Sequence, residues 1–258
     1  MPLDLDLLVM AYANGVFPMS DARDDPETFW IEPERRAILP LEGLRLSKSL
    51  RKTIRQDRFT VTSDRAFAQV IATCAAAADD RRDTWINDDI EQAFAALHRR
   101  GQAHSVECWL DGELVGGLYG MALGQAFFGE SMFSRASDAS KVALAWLVAR
   151  LRVGGFALLD CQFMTDHLAS LGAVEISQAA YLSLLMRAVP GGGRPRGDQM
   201  VAASSSAGAT SSAGASSTVG DWSALDRLLA PAGDSVLTPS SASSSPGKLI
   251  LQSLIQTS

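Results

Sequence analysis

The spacing of apolar side chains changes several times along the chain, and each change predicts a different element. Over residues 64–77 and 88–100 apolar residues recur every three or four positions, which is typical of helices with one buried face. Over 104–133 they alternate instead, and Asp111-Gly112 interrupts the alternation as a tight hairpin turn would. These patterns predict two helices followed by an antiparallel meander.

Residues 127–163 then predict a strand, a helix and a second strand. Residues 127–133 are short and aromatic-rich, as strands are, and the helical run 139–153 ends at two glycines, with N-cap candidates in 134–138 before it. A helix between two strands makes the strands parallel, and ligands bind beyond the carboxyl ends of such strands. With the meander, this order predicts an α+β fold with a mixed sheet.

Patterns nearer the N-terminus are shorter. Residues 3–17 and 46–58 are predicted to be helices, the second with Ser47 as its N-cap. Residues 20–40 are rich in Asp, Glu, Arg and Pro, so we expect them to be irregular.

The alternation of side chains in the two strands of 127–163 places polar groups on definite faces. Phe128, Glu130 and Met132 share one face, and a carboxylate between apolar groups is costly unless it is paired or a cation reaches it. In the second strand Asp160 and Gln162 also share a face, while the cysteine between them points the other way. The pair either ends a strand and bonds backbone groups, or faces a pocket.

Composition narrows the class of protein. The 258 residues are 47% apolar and 20% charged, as in ordinary soluble proteins, and the formal charge of −6 restricts any RNA contact to a local patch. Three cysteines without CxxC spacing and three scattered histidines suggest no metal site, and reduced thiols imply the cytoplasm. We expect no membrane segment, because no run of about 18 apolar residues occurs.

Six strings identify a resemblance that composition does not suggest. In series they are MAYANGVFPM (10–19), FWIEPERRAILP (29–40), GESMFS (129–134), ASKVAL (139–144), LLDCQ (158–162) and HLASLGAVEI (167–176). In this order they resemble the leucyl/phenylalanyl-tRNA–protein transferases, which move an amino acid from aminoacyl-tRNA to a protein N-terminus. The resemblance covers roughly residues 5–188.

The resemblance implies a catalytic domain of the GCN5-related acyltransferase type. We divide the chain into a small N-terminal domain (1–35), this catalytic domain (36–189) and a low-complexity linker with a C-terminal extension (190–258). Gly, Ala and Ser dominate residues 190–220, so we expect a flexible linker there. After it, 221–230 predicts a short helix, and 248–257 is apolar enough to dock on the core, for example as an added strand.

The resemblance further implies that Asp160 and Gln162 are catalytic. An α-amino group has a pKa near 8, so about a tenth is neutral at pH 7 and no strong base is required. Gln162 can accept a hydrogen bond from this amine, and Asp160 can orient Gln162 or stabilise the charge on the attacking nitrogen. Glu130 would attract a cation, either the amine or the side chain of an N-terminal Arg or Lys.

The substrate pocket and the tRNA contact follow from the same comparison. Trp85 and Phe127 match pocket positions of the family, and Phe128 and Met132 are further candidates, with core packing as the alternative. The family commonly has Trp where this chain has Met19, so a flexible thioether would replace a rigid ring. The candidate tRNA contacts are the cations Arg45, Lys48, Arg51, Lys52 and Arg55, which together with Arg58 form either a phosphate-binding patch or a solvated helix face.

We therefore expect a cytoplasmic aminoacyltransferase that uses Leu-tRNA or Phe-tRNA, with no metal or organic cofactor, on proteins beginning with Arg or Lys. The product would be marked for N-end-rule degradation. One alternative is a related transferase for N-terminal Asp or Glu, which Glu130 would repel. Another is an acyl-CoA N-acetyltransferase, but the loop 134–140 lacks the glycines that cradle pyrophosphate. A tRNA-binding protein without activity would have no use for Asp160 and Gln162 in one pocket.

Overall fold

The computed structural model describes residues 3–76, 84–191, 219–230 and 245–255, and a seven-stranded sheet lies at its centre. Within these residues the strands are β1 (Phe17–Met19), β2 (Phe29–Ile31), β3 (Arg35–Ile38), β4 (Thr60–Ser63), β5 (Ala103–Leu110), β6 (Glu113–Leu123), β7 (Ala126–Ser134), β8 (Leu158–Gln162) and β9 (Val174–Ser177). The helices are α1 (Leu5–Ala13), α2 (Lys48–Arg55), α3 (Phe67–Ala75), α4 (Asp88–Arg99), α5 (Ala139–Val153), α6 (Asp166–Ser170), α7 (Gln178–Ala188), α8 (Ala224–Leu229) and α9 (Pro246–Ile255), and a 3₁₀ turn covers Leu41–Gly43.

The sheet has the strand order β4–β5–β6–β7–β8–β3–β9. β7 and β8 are parallel, as the strand–helix–strand pattern predicts, and the other neighbouring strands are antiparallel. β1 and β2 form a separate antiparallel ribbon. The predicted α+β class with a mixed sheet is confirmed.

Most elements predicted from periodicity are confirmed. Asp111 and Gly112 have φ angles of 52° and 83°, the positive values that a type I′ hairpin requires. Ser47 caps α2 as predicted, because its hydroxyl accepts a 3.1 Å hydrogen bond from the N–H of Leu50. α5 differs at its start, where Asp138 stands at the cap position with a φ of 70° and makes no capping side-chain bond.

The prediction of irregular structure over residues 20–40 is wrong in part. β2 and β3 lie within this range, and β3 is integrated into the sheet between β8 and β9. β3 begins with two arginines, so its sequence does not show the apolar alternation that predicts a strand. Arg36 is nevertheless buried, because it pairs with Asp160, which is distant in sequence. The boundary between domains 1–35 and 36–189 stays a prediction.

The sheet separates two apolar clusters. α5 packs against β5, β6 and β7 on one side, whereas α3 packs against the same strands from the other. Phe127 and Phe128 are adjacent on β7 and contribute one ring to each cluster. Among the described residues, no helix is both long enough and apolar enough to cross a membrane.

The C-terminal extension contributes to the cluster around α5. Most of the predicted linker 190–220 lies outside the described residues, so its flexibility stays a prediction. Beyond it, α8 forms in the predicted place, and the apolar segment 248–257 docks as predicted. It does so as helix α9 against α2 and α5, so the suggestion of an added strand is wrong.

Trp222 fastens this extension to the core. Its ring stacks on Phe127 and on His104, with centroids 5.4 and 4.3 Å apart, and its indole N–H donates a 2.8 Å hydrogen bond to Asp64. Arg150, buried on α5, donates to the carbonyl of Trp222 and to both carboxylate oxygens of Asp226 at 2.6 Å. The core is therefore completed by residues that follow the linker.

Replacing Trp222 by Ala should lower the free energy of unfolding by about 3–5 kcal/mol, because it removes a buried ring and leaves a cavity beside Phe127. Urea denaturation measures the difference. Trp30→Ala is the matched control: that ring is 39% exposed on β2, so its removal should cost much less. Equal decreases in the two variants would show that the extension does not stabilise the core.

Candidate active site

A cavity of about 320 Å³ lies where β7 and β8 separate. Their parallel pairing ends at Phe128 and Asp160. Beyond that point the cavity opens between residues 129–132 of β7 and residues 161–163 at and just after the end of β8. The cavity therefore lies at the carboxyl ends of these two strands, where the sequence predicts the site.

The walls of the cavity are largely apolar. Met19 from the ribbon, Trp85 before α4 and Met132 from β7 line it, as proposed from the sequence. Leu144 and Leu147 of α5 complete the apolar lining on the opposite side. The polar end is formed by Glu130 and Gln162, whose side chains meet there.

For two residues the prediction that they line the pocket is wrong. Phe127 and Phe128 are fully buried and do not line the cavity, because each packs into one of the two apolar clusters. Phe127 stacks on Trp222, and Phe128 packs edge-on against Tyr12. Core packing, the alternative interpretation for Phe128, is the correct one for both rings.

A β-bulge explains why the face assignment on β7 is wrong. Tyr119 pairs with Ser131 and the next residue of β6, Gly120, pairs with Gly129, so β7 carries one extra residue, Glu130. The alternation is inverted across the bulge: Phe128 packs with one cluster and Met132 with the other. The bulge places the carboxylate of Glu130 at the polar end of the cavity.

Asp160 does not share the face of Gln162, contrary to the strand-based prediction. Its side chain is fully buried away from the cavity and is held by the guanidinium of Arg36, with N···O distances of 2.6–3.1 Å. The hydroxyl of Tyr181 donates a further 2.7 Å hydrogen bond to it. Cys161 lines the cavity instead of pointing away from it. Burial, with the charge of Asp160, raises the pKa of that thiol to about 12, so it is protonated at neutral pH.

Arg36 is the residue beside the candidate site that sequence reasoning missed. It is 1% exposed, lies between the rings of Phe17 and Tyr181 at 4.6 and 4.5 Å from their centroids, and donates to the carbonyl of Gly15. Burial is the largest influence on the pKa of Arg36 and acts to lower it, but the charge and hydrogen bonds of Asp160, together with Tyr181 and Tyr12, raise the pKa above its usual value. A signal was present, because an aspartate inside the apolar strand LLDCQ requires a cation.

Asp160 instead orients Gln162 through the backbone. Gln162 has a φ of 56°, a left-handed conformation that costs a residue with a side chain of order 1 kcal/mol or more. Its N–H donates a 2.9 Å hydrogen bond to Asp160 Oδ1, which stabilises this turn of the chain. The turn swings the amide of Gln162 into the cavity, where Nε2 approaches Glu130 Oε1 at 3.4 Å.

Glu130 has an unusual protonation state. Burial is the main cause that raises the pKa of Glu130 to about 8, and the charge of Asp160 acts in the same direction. The Tyr12 hydroxyl and the charge of Arg36 act to lower this pKa but do not cancel the increase. Near pH 7 the carboxyl group of Glu130 is therefore mostly neutral, and a cation beside it would favour its ionised form.

The cationic run lies on the surface beside the cavity. Its residues Arg45, Lys48, Arg51, Lys52, Arg55 and Arg58 are all exposed, and none of them forms an ion pair with a carboxylate among the described residues. The N–H of Arg45 donates a 2.8 Å hydrogen bond to Leu171, directly after α6. α6 itself lines the cavity through His167 and Leu168. The exposed cations therefore extend from Arg45, next to α6 at the cavity, along helix α2.

Comparison with known proteins gives matches to one family over most of the chain. The family model described as leucyl/phenylalanyl-tRNA protein transferase matches residues 38–186, and the model of that family's N-terminal domain matches residues 1–34. Curated relatives carry the name leucyl/phenylalanyl-tRNA–protein transferase. The relative from Rhizorhabdus wittichii is 67% identical over 71% of this chain and 74% of its own length. The relative from Zymomonas mobilis is 62% identical over 72% of this chain and 70% of its own length. The relative from Novosphingobium aromaticivorans is 53% identical over 98% of this chain and 96% of its own length.

Replacing Glu130 by Gln should stabilise the protein at high pH. The pKa of Glu130 rises from 4.5 to about 8 on folding, so the native state binds more protons in this window and wild-type stability falls as pH rises through it. Glutamine has no charge to bury, so we expect the variant to exceed wild type by on the order of 3 kcal/mol at pH 9 and by little at pH 4.5. Urea denaturation at both pH values, with the exposed Glu113→Gln as control, measures this. Parallel pH dependences for wild type and Glu130→Gln would contradict the burial of this charge.

Proposed function

The chain belongs to the leucyl/phenylalanyl-tRNA protein transferase family, and we propose that it transfers leucine or phenylalanine from Leu-tRNA or Phe-tRNA to the N-terminal arginine or lysine of acceptor proteins. The product is a protein whose new N-terminus directs it to N-end-rule degradation. The reaction takes place in the cytoplasm. It needs neither a metal nor an organic cofactor, because the aminoacyl ester is already activated.

The observation that carries this proposal is an apolar cavity that ends at Gln162 and Glu130. A volume of about 320 Å³ with walls of Met19, Trp85 and Met132 suits an apolar side chain of the size of leucine or phenylalanine, and disfavours charged side chains because they would lose their hydration. The thioether of Met19 can change rotamer, so methionine is a further substrate that this pocket accommodates.

Proton transfer follows from the raised pKa of Glu130. That pKa, about 8, nearly equals the 7.7–8.0 of an α-amino group, so transfer of a proton from the amine to the carboxylate costs little free energy. The neutral nitrogen then attacks the ester carbonyl. A C–N bond forms, the C–O bond to the ribose breaks, and the ribose oxygen takes the proton that the nitrogen loses.

Gln162 and Asp160 have different parts in this reaction. Since Nε2 of Gln162 is directed at Glu130, its Oε1 accepts a hydrogen bond from the amine and aligns the lone pair with the ester. Asp160 touches no substrate in this mechanism. It is a positioning residue that fixes the backbone of Gln162 while Arg36 neutralises its charge.

Incubation with labelled Leu-tRNA and peptides beginning with Arg, Lys, Asp or Ala tests the proposal. Wild type should label the Arg and Lys peptides, and Gln162→Ala should lower kcat about 100-fold while the KM for Leu-tRNA stays nearly constant, because only the alignment of the amine is removed. Glu130→Gln should also impair the reaction. Labelling of the Asp peptide instead would favour the alternative transferase.

The variant Asp160→Asn tests whether Asp160 acts by positioning Gln162 and not by contact with the substrate. It should lower kcat and also destabilise the fold by about 3–5 kcal/mol, because it leaves Arg36 buried without a charged partner. Gln162→Ala, whose side chain bonds only within the cavity, should leave unfolding nearly unchanged. Full activity of Gln162→Ala would remove this residue from the reaction.

A further prediction concerns the binding of tRNA by the cations of α2. Neutralising Arg51, Lys52 and Arg55 together should weaken the binding of all aminoacyl-tRNAs alike, because phosphate contacts carry no sequence information. The slope of log K against log salt should fall by about 0.7–0.9 for each phosphate that the variant no longer neutralises.

A variant that neutralises three exposed arginines elsewhere, Arg99, Arg100 and Arg187, makes the same change in net charge and serves as the control. An unchanged salt slope in the α2 variant would mean that these cations are only a solvated surface.

A further inference from the structure

An apolar strip continues the wall of the cavity onto the protein surface. Met19 and Phe29 are paired residues of the β1–β2 ribbon, so their side chains lie on the same face. Phe163, which follows Gln162, packs edge-on against Phe17 with ring centroids 5.7 Å apart. Phe29 and Phe163 are nevertheless 37% and 46% exposed. The strip therefore leads from the reacting groups out to open surface.

The chain beside this strip is strongly acidic. Residues 20–34 contain one cation, Arg23, and the six carboxylates Asp21, Asp24, Asp25, Glu27, Glu32 and Glu34. Arg23 is already engaged by Glu91 and Asp88 of α4, at 2.5 and 2.9 Å. The strip is thus bordered by an excess of negative charge.

The loop that carries these carboxylates is held in place by the core. Asn87, the N-cap of α4, donates hydrogen bonds from its amide to the carbonyl of Asp25 at 3.0 Å and to the hydroxyl of Thr28 at 3.1 Å. The N–H of Ser20 donates to the carbonyl of Trp85, a residue of the cavity wall, at 3.1 Å. A surface fixed in this way gives up little entropy when a partner binds.

We propose that this surface, which we call the acceptor flank (residues 20–34 with Phe163), binds the N-terminal segment of the acceptor protein. The inference rests on the proposed function, in which the acceptor begins with arginine or lysine. Its side chain stacks as a cation on the exposed rings and its charge is balanced by the carboxylates around them. The α-amino group then reaches Gln162 along the strip.

Two surfaces of opposite charge border the cavity, and each attracts a different substrate. The exposed cations of residues 45–58 attract the tRNA phosphates, whereas the acceptor flank attracts a cationic peptide and repels RNA. The two substrates have opposite charges and would otherwise bind one another. Separate flanks bring both to the same cavity in a defined orientation.

Steady-state kinetics with Leu-tRNA and an Arg-initiated peptide tests the inference. The double variant Asp24→Asn, Glu27→Gln should raise the acceptor KM about three- to tenfold, with less effect at high salt, because exposed charges contribute modestly and are screened. Its kcat and its KM for Leu-tRNA should stay within about twofold of wild type. Phe29→Ala should raise the acceptor KM by a similar factor that salt does not reduce.

The double variant Asp111→Asn, Glu113→Gln is the matched control, because it makes the same change in net charge at the exposed β5–β6 turn. An unchanged acceptor KM in the flank variants, or an equal change in the control, would overturn the inference. A change in the molar mass of the protein in solution, with unchanged KM, would show that the flank joins two copies of this chain. Failure of wild type on every peptide would instead refute the proposed function, and with it the role of the flank.

Discussion

The buried ion pair between Arg36 and Asp160 connects two adjacent strands whose residues lie 124 positions apart in the sequence. Asp160 lies on β8, Arg36 on the adjacent strand β3, and the same guanidinium binds the carbonyl of Gly15 and the rings of Phe17 and Tyr181. Removing one partner of such a pair costs about 3–5 kcal/mol, because the other charge stays buried alone. The N-terminal residues are therefore tied to the sheet at the point where the cavity begins.

The same pair determines the chemistry of the cavity. Asp160 stabilises the left-handed backbone of Gln162 through the N–H of that residue, and its negative charge helps to raise the pKa of Glu130 to about 8. Arg36 limits this increase, so the carboxyl stays close to the pKa of an α-amine. One interaction thus orients Gln162 and influences the pKa of Glu130, the two residues to which the proposed mechanism assigns alignment of the amine and acceptance of its proton.

Two irregularities of the sheet create the cavity at the edge of the packed core. The bulge at Glu130 and the positive φ of Gln162 interrupt β7 and β8 just beyond their last paired residues, Phe128 and Asp160. Behind these residues the rings of Phe127 and Phe128 fill the core, and the extension adds Trp222 to it. Backbone strain at the cavity is stabilised by the dense packing behind it.

The sequence by itself determined helices α1 to α5 and α8, the meander and the parallel strand pair, because local periodicity is encoded in neighbouring residues. The family resemblance and the strand patterns also pointed to Met19, Trp85, Met132, Glu130 and Gln162, which line the cavity. Only the tertiary structure decided which face each side chain occupies. The bulge in β7 shifts the alternation by one residue, so Phe128 lies in the core and Met132 lines the cavity. On β8 the positive φ of Gln162 separates its side chain from that of Asp160, which is buried with Arg36. Arg36 stayed hidden for a related reason: a buried charge is stable only beside its partner, and that partner lies 124 residues away along the chain.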